Sequence, residues 1–218
     1  MPRNLNTFKM KKVLLSALAV FAFGVANAQE EGGFGFSKGD VLVEGNLTVT
    51  SNSVSNGSST TTTTSYGFAP VGGYFIADKF AVGLGLDITS DKNEPKYNNV
   101  TYNKLDNFGV GLFGRYYFLE LGQRFKAYGQ ATLGFNSVTA SPTRGDDSKF
   151  TEIGFKAGLG LNYFLTRNLA INFALSDVFS VVNNKAKGAD GSNTDVTLNV
   201  NSFSNFFDTP TFGLTFKF

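Results

Sequence analysis

From Asp40 to the end of the chain, large apolar residues recur at every second position in short runs. The cleanest run sets Phe80, Val82, Leu84, Leu86 and Ile88 against Ala81, Gly83, Gly85, Asp87 and Thr89. A period of two belongs to a strand with one apolar and one polar face. Seven further runs repeat it, and their apolar members are Val41–Val49, Tyr66–Tyr74, Phe108–Phe118, Phe125–Phe135, Ile153–Tyr163, Leu169–Leu175 and Phe212–Phe218. The links between runs alternate in length. Those after the second, fourth and sixth are a few residues long, whereas Ser51–Thr60, residues 90–104, the stretch around Pro142 and residues 178–207 are long and polar. Within the last of these, Val196 to Val200 alternates again and predicts a strand extension. Pro70 lies inside the second run, where a missing ladder N–H, with Gly72 and Gly73 beside it, predicts a bulge near the periplasmic turn.

Charge sharpens the pattern. In the strands the charged residues are Glu44, Asp87, Arg115, Lys126, Glu152, Lys156 and Lys217, and all seven take the face opposite the large apolar residues. A Lys or Arg facing the middle of a bilayer costs about 2–4 kcal/mol. The opposite face is otherwise mostly Gly, Thr, Asn and Ala, too small and too uncharged for the exterior of a soluble barrel or sandwich but suited to a narrow barrel interior. Backbone groups in lipid need internal partners, so such a sheet must close. The expectation is an all-β fold: an eight-stranded antiparallel transmembrane β-barrel over residues 39–218, with short periplasmic turns, long extracellular loops and both termini periplasmic.

The N-terminus reads as an address. Lys11-Lys12, an apolar run from Val13 to about Val25, and Ala26-Asn27-Ala28 have the three parts of a cleaved signal peptide over residues 1–28, with Met10 as its start. Residues 29–38 form a polar, Gly-rich periplasmic lead-in.

Composition removes several functions. Among 218 residues there is no Cys, hence no disulfide or thiolate metal site, and no His. The net charge of +2 is spread thinly, with no basic block for nucleic acid. Asp146-Asp147 is too short a run for a calcium loop. The Gly-x-Gly pairs Gly83/Gly85, Gly109/Gly111 and Gly158/Gly160 precede no helix and so make no nucleotide fingerprint. No metal or other cofactor is expected.

The exported chain, its eight amphipathic runs and the stretches PVGGYFIADKFAVGLGL, GLFGRYYF and LNYFLTRNLAINF resemble the small outer-membrane barrels of the OmpA-transmembrane/OmpX type, and the barrel-domain proteins common in Bacteroidetes. The resemblance implies outer-membrane lipid as surroundings. It also implies a C-terminal signal for the barrel-assembly machinery, carried by Phe212, Leu214, Phe216 and Phe218. The outer-membrane barrel enzymes (omptin proteases, phospholipases, lipid A acylases and deacylases) work through an active-site His, which this chain lacks, so no catalytic residue is assigned.

The inward charges are the candidate site. Glu44, Arg115, Lys126 and Lys217 are expected near the periplasmic end, with Glu44–Lys217 as a pair across the closing strands. Arg115 and Lys126 call for carboxylate or Tyr partners, while Asp87, Glu152 and Lys156 fall toward the outside. Two functions fit: a structural or surface-interaction barrel with a plugged lumen, whose loops meet an extracellular partner, or a narrow pore for ions or small solutes.

Overall fold

The computed structural model describes residues 33–56, 59–95, 103–142, 145–199 and 211–218. The expected signal peptide lies outside them. Among the described residues are nine strands: β1 (Val41–Asn56), β2 (Ser59–Ala77), β3 (Phe80–Pro95), β4 (Asn103–Leu121), β5 (Phe125–Ser141), β6 (Ser148–Phe164), β7 (Leu169–Ala186), β8 (Asn193–Leu198) and β9 (Thr211–Lys217). Each of β1 to β7 pairs antiparallel with the next. The far edge of β7 is shared: β9 takes its first half, Leu169–Ala174, and β8 takes Phe179–Asn184. β9 also pairs with β1, from Leu42↔Lys217 to Asn46↔Gly213. The sheet therefore closes into a ring of eight strand positions.

The closure is staggered. Following direct cross-strand partners from Glu44 the long way round passes Val71, Gly85, Gly111, Gly134 and Gly154 and reaches Val182 on β7. The short way, through Thr215, reaches Ala170. That offset is the shear of a barrel whose strands tilt against its axis.

The distribution of side chains is inverted relative to a soluble protein. Leu84, Leu112 and Leu133 are direct neighbours across three strands and stand 57–60% exposed on the outer face. Glu44, Arg115, Asn162 and Asn172 are buried inside. The outer belt ends sharply toward the long links: Val49, Tyr66, Ile88, Phe108, Phe135 and Ile153 are followed two residues on by Ser51, Thr64, Ser90, Asp106, Ser137 and Thr151. An apolar belt bounded by polar side chains is a surface made for hydrocarbon.

The strand ends, the stretch around Val196 and Pro70 each test an expectation. Part of what the polar composition marks as loop is strand: β1 and β2 continue to Asn56 and from Ser59, β3 reaches Pro95, and β7 reaches Ala186. β-branched Thr favours extended backbone, and cross-strand hydroxyl bonds tie these ends, Ser53 to Thr62 and Ser55 to Thr60 at 2.9 Å each. The stretch around Val196 does extend the sheet, as β8. The bulge expected near the short turn is there, at Phe75/Ala77, and not at Pro70 itself. β1 pairs straight through Pro70, Gly45↔Pro70, while the ladder to β3 omits Ala69 and Pro70; the missing N–H leaves a gap.

The lead-in also behaves differently from its composition. Phe36 is buried and stacks on Phe75 with ring centroids 4.5 Å apart, and it touches the rings of Tyr117 and Phe164. Gly39 N–H donates to the Phe75 carbonyl and Phe75 N–H to the Asp40 carbonyl, so the segment enters the sheet's short-turn end as a cork. Gly35 is required there: at φ +117° a Cβ would also press on Lys126 Cε at 3.1 Å.

Candidate functional site

Above the cork, side chains from four strands form a closed hydrogen-bonded ring. Arg115 on β4 reaches across to Glu44 on β1 with two prongs, Nη1 to Oε2 at 2.9 Å and Nη2 to Oε1 at 3.2 Å. Thr215 on β9 donates to the same Glu44 Oε2 at 2.9 Å and accepts from Asn162 Nδ2 on β6 at 3.0 Å. Asn162 Oδ1 accepts from Tyr117 Oη at 2.7 Å, and Tyr117 Oη in turn lies 3.4 Å from Arg115 Nη1. Arg115 Nε donates to Gln130 at 2.8 Å, and its guanidinium lies 4.1 Å from the centre of the Tyr128 ring. Tyr128 Oη donates to Asn172 at 2.8 Å.

Alternation produces this geometry. Glu44, Arg115, Tyr117, Tyr128, Gln130, Asn162, Asn172 and Thr215 all occupy the inward parity of their strands, and the stagger brings them to one level. Glycine on the same face makes room for the rings. A Cβ on Gly160 would collide with the Tyr128 ring and hydroxyl, so that ring lies flat against the β6 wall only because Gly160 has none. A bidentate guanidinium–carboxylate pair is the strong form of a charged hydrogen bond. Both partners are 2% exposed, and burial of ions is tolerated where such pairing is complete.

The remaining inward charges separate from this ring. Lys217 does not pair with Glu44, which Arg115 and Thr215 hold instead. It donates to the Gly35 carbonyl at 3.0 Å and lies 3.9 Å from Asp40, so it holds the cork segment to the closing strand. Lys126 pairs with Glu120 at 2.7 Å at the rim, and Lys79 in the β2–β3 turn meets the same carboxylate at 2.9 Å. That hydrogen bond and the attraction of Glu120 hold the Lys79 ammonium above its ordinary pKa. Arg124 lies over the Phe34 ring at 4.9 Å.

Asp87, Glu152 and Lys156 line a cavity of about 210 Å³ on the loop side of the ring, with Phe113, Gln130, Thr132 and Asn136. Asn107 donates to Asp87 at 3.3 Å, and Lys156 lies 4.0 Å from Asp177. Asp177 was not legible as an inward charge. Plain alternation along β7 sends it outward, and the register shifts opposite Gly158 turn it in. Phe212, Leu214 and Phe216 lie in β9, with Phe212 and Leu214 exposed on the outer face and Phe216 paired in register with Val43 and Leu169. Lumen charges locked into mutual bonds can fill and polarise a cross-section; those in the cavity can meet a polar solute.

The chain resembles the outer membrane protein OprG of Pseudomonas aeruginosa at a TM-score of 0.50 and 18% identity, over 84% of this chain and 98% of that one. It resembles the Neisserial surface protein A at 0.45 and 18%, over 82% and 96%, and the outer membrane protein W of Escherichia coli at 0.41 and 14%, over 84% and 99%. A search of curated protein sequences returns no match. The model of the outer membrane protein beta-barrel domain matches residues 13–204. With a closed eight-position ring, a lipid-ready belt and a family match over most of its length, the chain belongs to the outer membrane protein beta-barrel domain family and resides in the outer membrane.

Proposed function

We propose that this protein is a non-enzymatic barrel with a sealed lumen, whose role is structural or one of surface interaction through the strands and loops beyond the membrane. The observation that carries the reading is the Glu44–Arg115 pair inside its closed ring. Every nitrogen of the guanidinium and both oxygens of the carboxylate are bonded. The Phe36–Phe75 stack lies beneath as a second, apolar seal. An ion would have to break two charged bonds and displace stacked rings to pass.

The test is conductance in planar bilayers at neutral pH. The expected result is a silent membrane. Steady openings whose size changes when Glu44 or Arg115 is neutralised would overturn the sealed reading in favour of a narrow pore. That second reading is favoured by one feature, the polar cavity above the ring, which would serve as its vestibule.

Assembly through the C-terminal strand belongs to the same proposal. Phe212, Leu214, Phe216 and Phe218 present an alternating apolar edge to the barrel-assembly machinery. Removal of Phe218 is expected to reduce the folded fraction in outer membranes, scored by the heat-dependent gel shift; normal assembly without it would discard this part.

A further inference from the structure

We infer that the outer wall of the β6–β7 hairpin is a binding site for an anionic lipid, one whose headgroup phosphate is not neutralised by a cationic group of its own. On this wall Ile153, Phe155, Phe179 and Val181 form the upper belt, with Ala157 as the direct partner of Phe179, and β8 extends it sideways with Val196 and Leu198. Val196 and Leu198 are 66% and 59% exposed, so acyl chains have an apolar surface to lie on. Directly above stands Thr151 opposite Lys185, and the next outward position on β6 is Lys149. Lys187 follows the end of β7, and its amide donates to the Lys149 carbonyl at 2.8 Å.

Three exposed ammonium groups thus gather at the height where a lipid headgroup sits, with the Ser137 and Thr139 hydroxyls of β5 beside Thr151 and Lys149 as further donors. Among the described residues, none of the ion pairs joins Lys149, Lys185 or Lys187 to a carboxylate. The nearby Asp195 belongs to the other face of its strand: it pairs with Val182, which lines the lumen, and accepts from Asn184 and Asn193. The contrast lies elsewhere on the barrel. Lys92 and Lys104 also face each other above the belt, but Asp106 lies in ion-pair contact with Lys104 and partly answers that charge. The β6–β7 wall has lysines over lipid and no such counter-ion, which is complementary to a phosphate held at the membrane surface. Each basic residue near an anionic membrane surface contributes on the order of 1 kcal/mol, about five-fold in affinity. The inference holds whether or not the lumen conducts.

The test uses the full mature barrel, stripped of lipid in a neutral detergent and titrated with phosphatidic acid, with phosphatidylcholine, and with inorganic phosphate, the adducts being counted by native mass spectrometry. Phosphatidic acid should be retained at least ten-fold more tightly than either other probe, and less tightly as salt is raised. Lys149→Gln and Lys185→Gln should each weaken retention about five-fold, whereas Lys38→Gln at the opposite end should not. The heat-dependent gel shift verifies that each variant is folded. Equal retention of phosphatidylcholine, inorganic phosphate bound as tightly as the lipid, or Lys149 and Lys185 variants that match the wild type would each overturn the inference.

Discussion

Arg115 and Glu44 meet across the barrel interior although 71 positions separate them in the chain, and the pair is closed on both sides by Thr215 and Gln130. Removing one partner leaves the other as a buried, unanswered charge, a loss of about 3–5 kcal/mol. Glu44→Ala and Arg115→Ala are each expected to lower the unfolding free energy of the barrel, read from urea titration in detergent, by that amount. The double variant Glu44→Gln/Arg115→Met removes both charges and is expected to recover part of the loss. A double variant no more stable than the singles would show that the ring, rather than the charge balance, dominates.

Phe36 links two parts of the chain that the sequence keeps apart in character, a Gly-rich lead-in and the barrel interior. Its ring stacks on Phe75 and contacts Tyr117 and Phe164. Truncation of a packed Phe costs about 3–5 kcal/mol where the site cannot collapse. Phe36→Ala is expected to cost an amount in this range. Differential scanning fluorimetry in micelles measures the shift. Phe34→Ala should cost less, since Phe34 is only partly buried and has an edge contact to Phe164.

These two sites mark how far the chain alone could be read. Alternation assigned the inner and outer faces, because a strand's side chains switch sides at every residue and one face meets hydrocarbon. It therefore placed Glu44, Arg115, Lys126 and Lys217 inside together. It could not choose among partners: β1 and β9 are neighbours, which suggests Glu44 with Lys217, yet barrel stagger carries Arg115 to Glu44 from three strands away. Asp177 was hidden for a related reason, since a register shift reverses a side chain and leaves no mark in composition. Phe34 and Phe36 stood in a segment with too little apolar periodicity to register as an element, and their burial comes from the hole they fill. The outer strand ends were missed because Ser, Thr and Asn read as loop when no apolar face accompanies them, although their backbone ladder continues.

Gly160 and Tyr128 are the close approach on which the ring's aromatic wall depends. A side chain at 160 overlaps the Tyr128 ring, so Gly160→Val is expected to rotate Tyr128 away and break its bond to Asn172 and its contact with the Arg115 guanidinium. Overpacking of this kind costs about 1–3 kcal/mol. The companion variant Tyr128→Phe keeps the ring and loses only the hydroxyl bond, for about 1 kcal/mol. If Gly160→Val proves no worse than Tyr128→Phe, the wall has room that the geometry denies.

The outer belt makes the sharpest demand on the membrane reading. Leu112 is 57% exposed between Leu84 and Leu133, in the middle of the outward apolar positions of β4, which run from Phe108 to Tyr116 and Phe118. Ser137 is the direct partner of Phe108 and lies just past the upper boundary of that belt. An Arg at the bilayer midplane costs about 2–4 kcal/mol and one near the interface about 0–1 kcal/mol. Leu112→Arg is therefore expected to destabilise the barrel in lipid vesicles by several kcal/mol, and Ser137→Arg by about 1 kcal/mol or less. A charged residue on the solvent face of a soluble barrel would have little effect at either position. Reversible unfolding in guanidinium with phosphatidylcholine vesicles reads both variants against the wild type. Equal, small changes at the two positions would mean that the exposed belt does not face hydrocarbon.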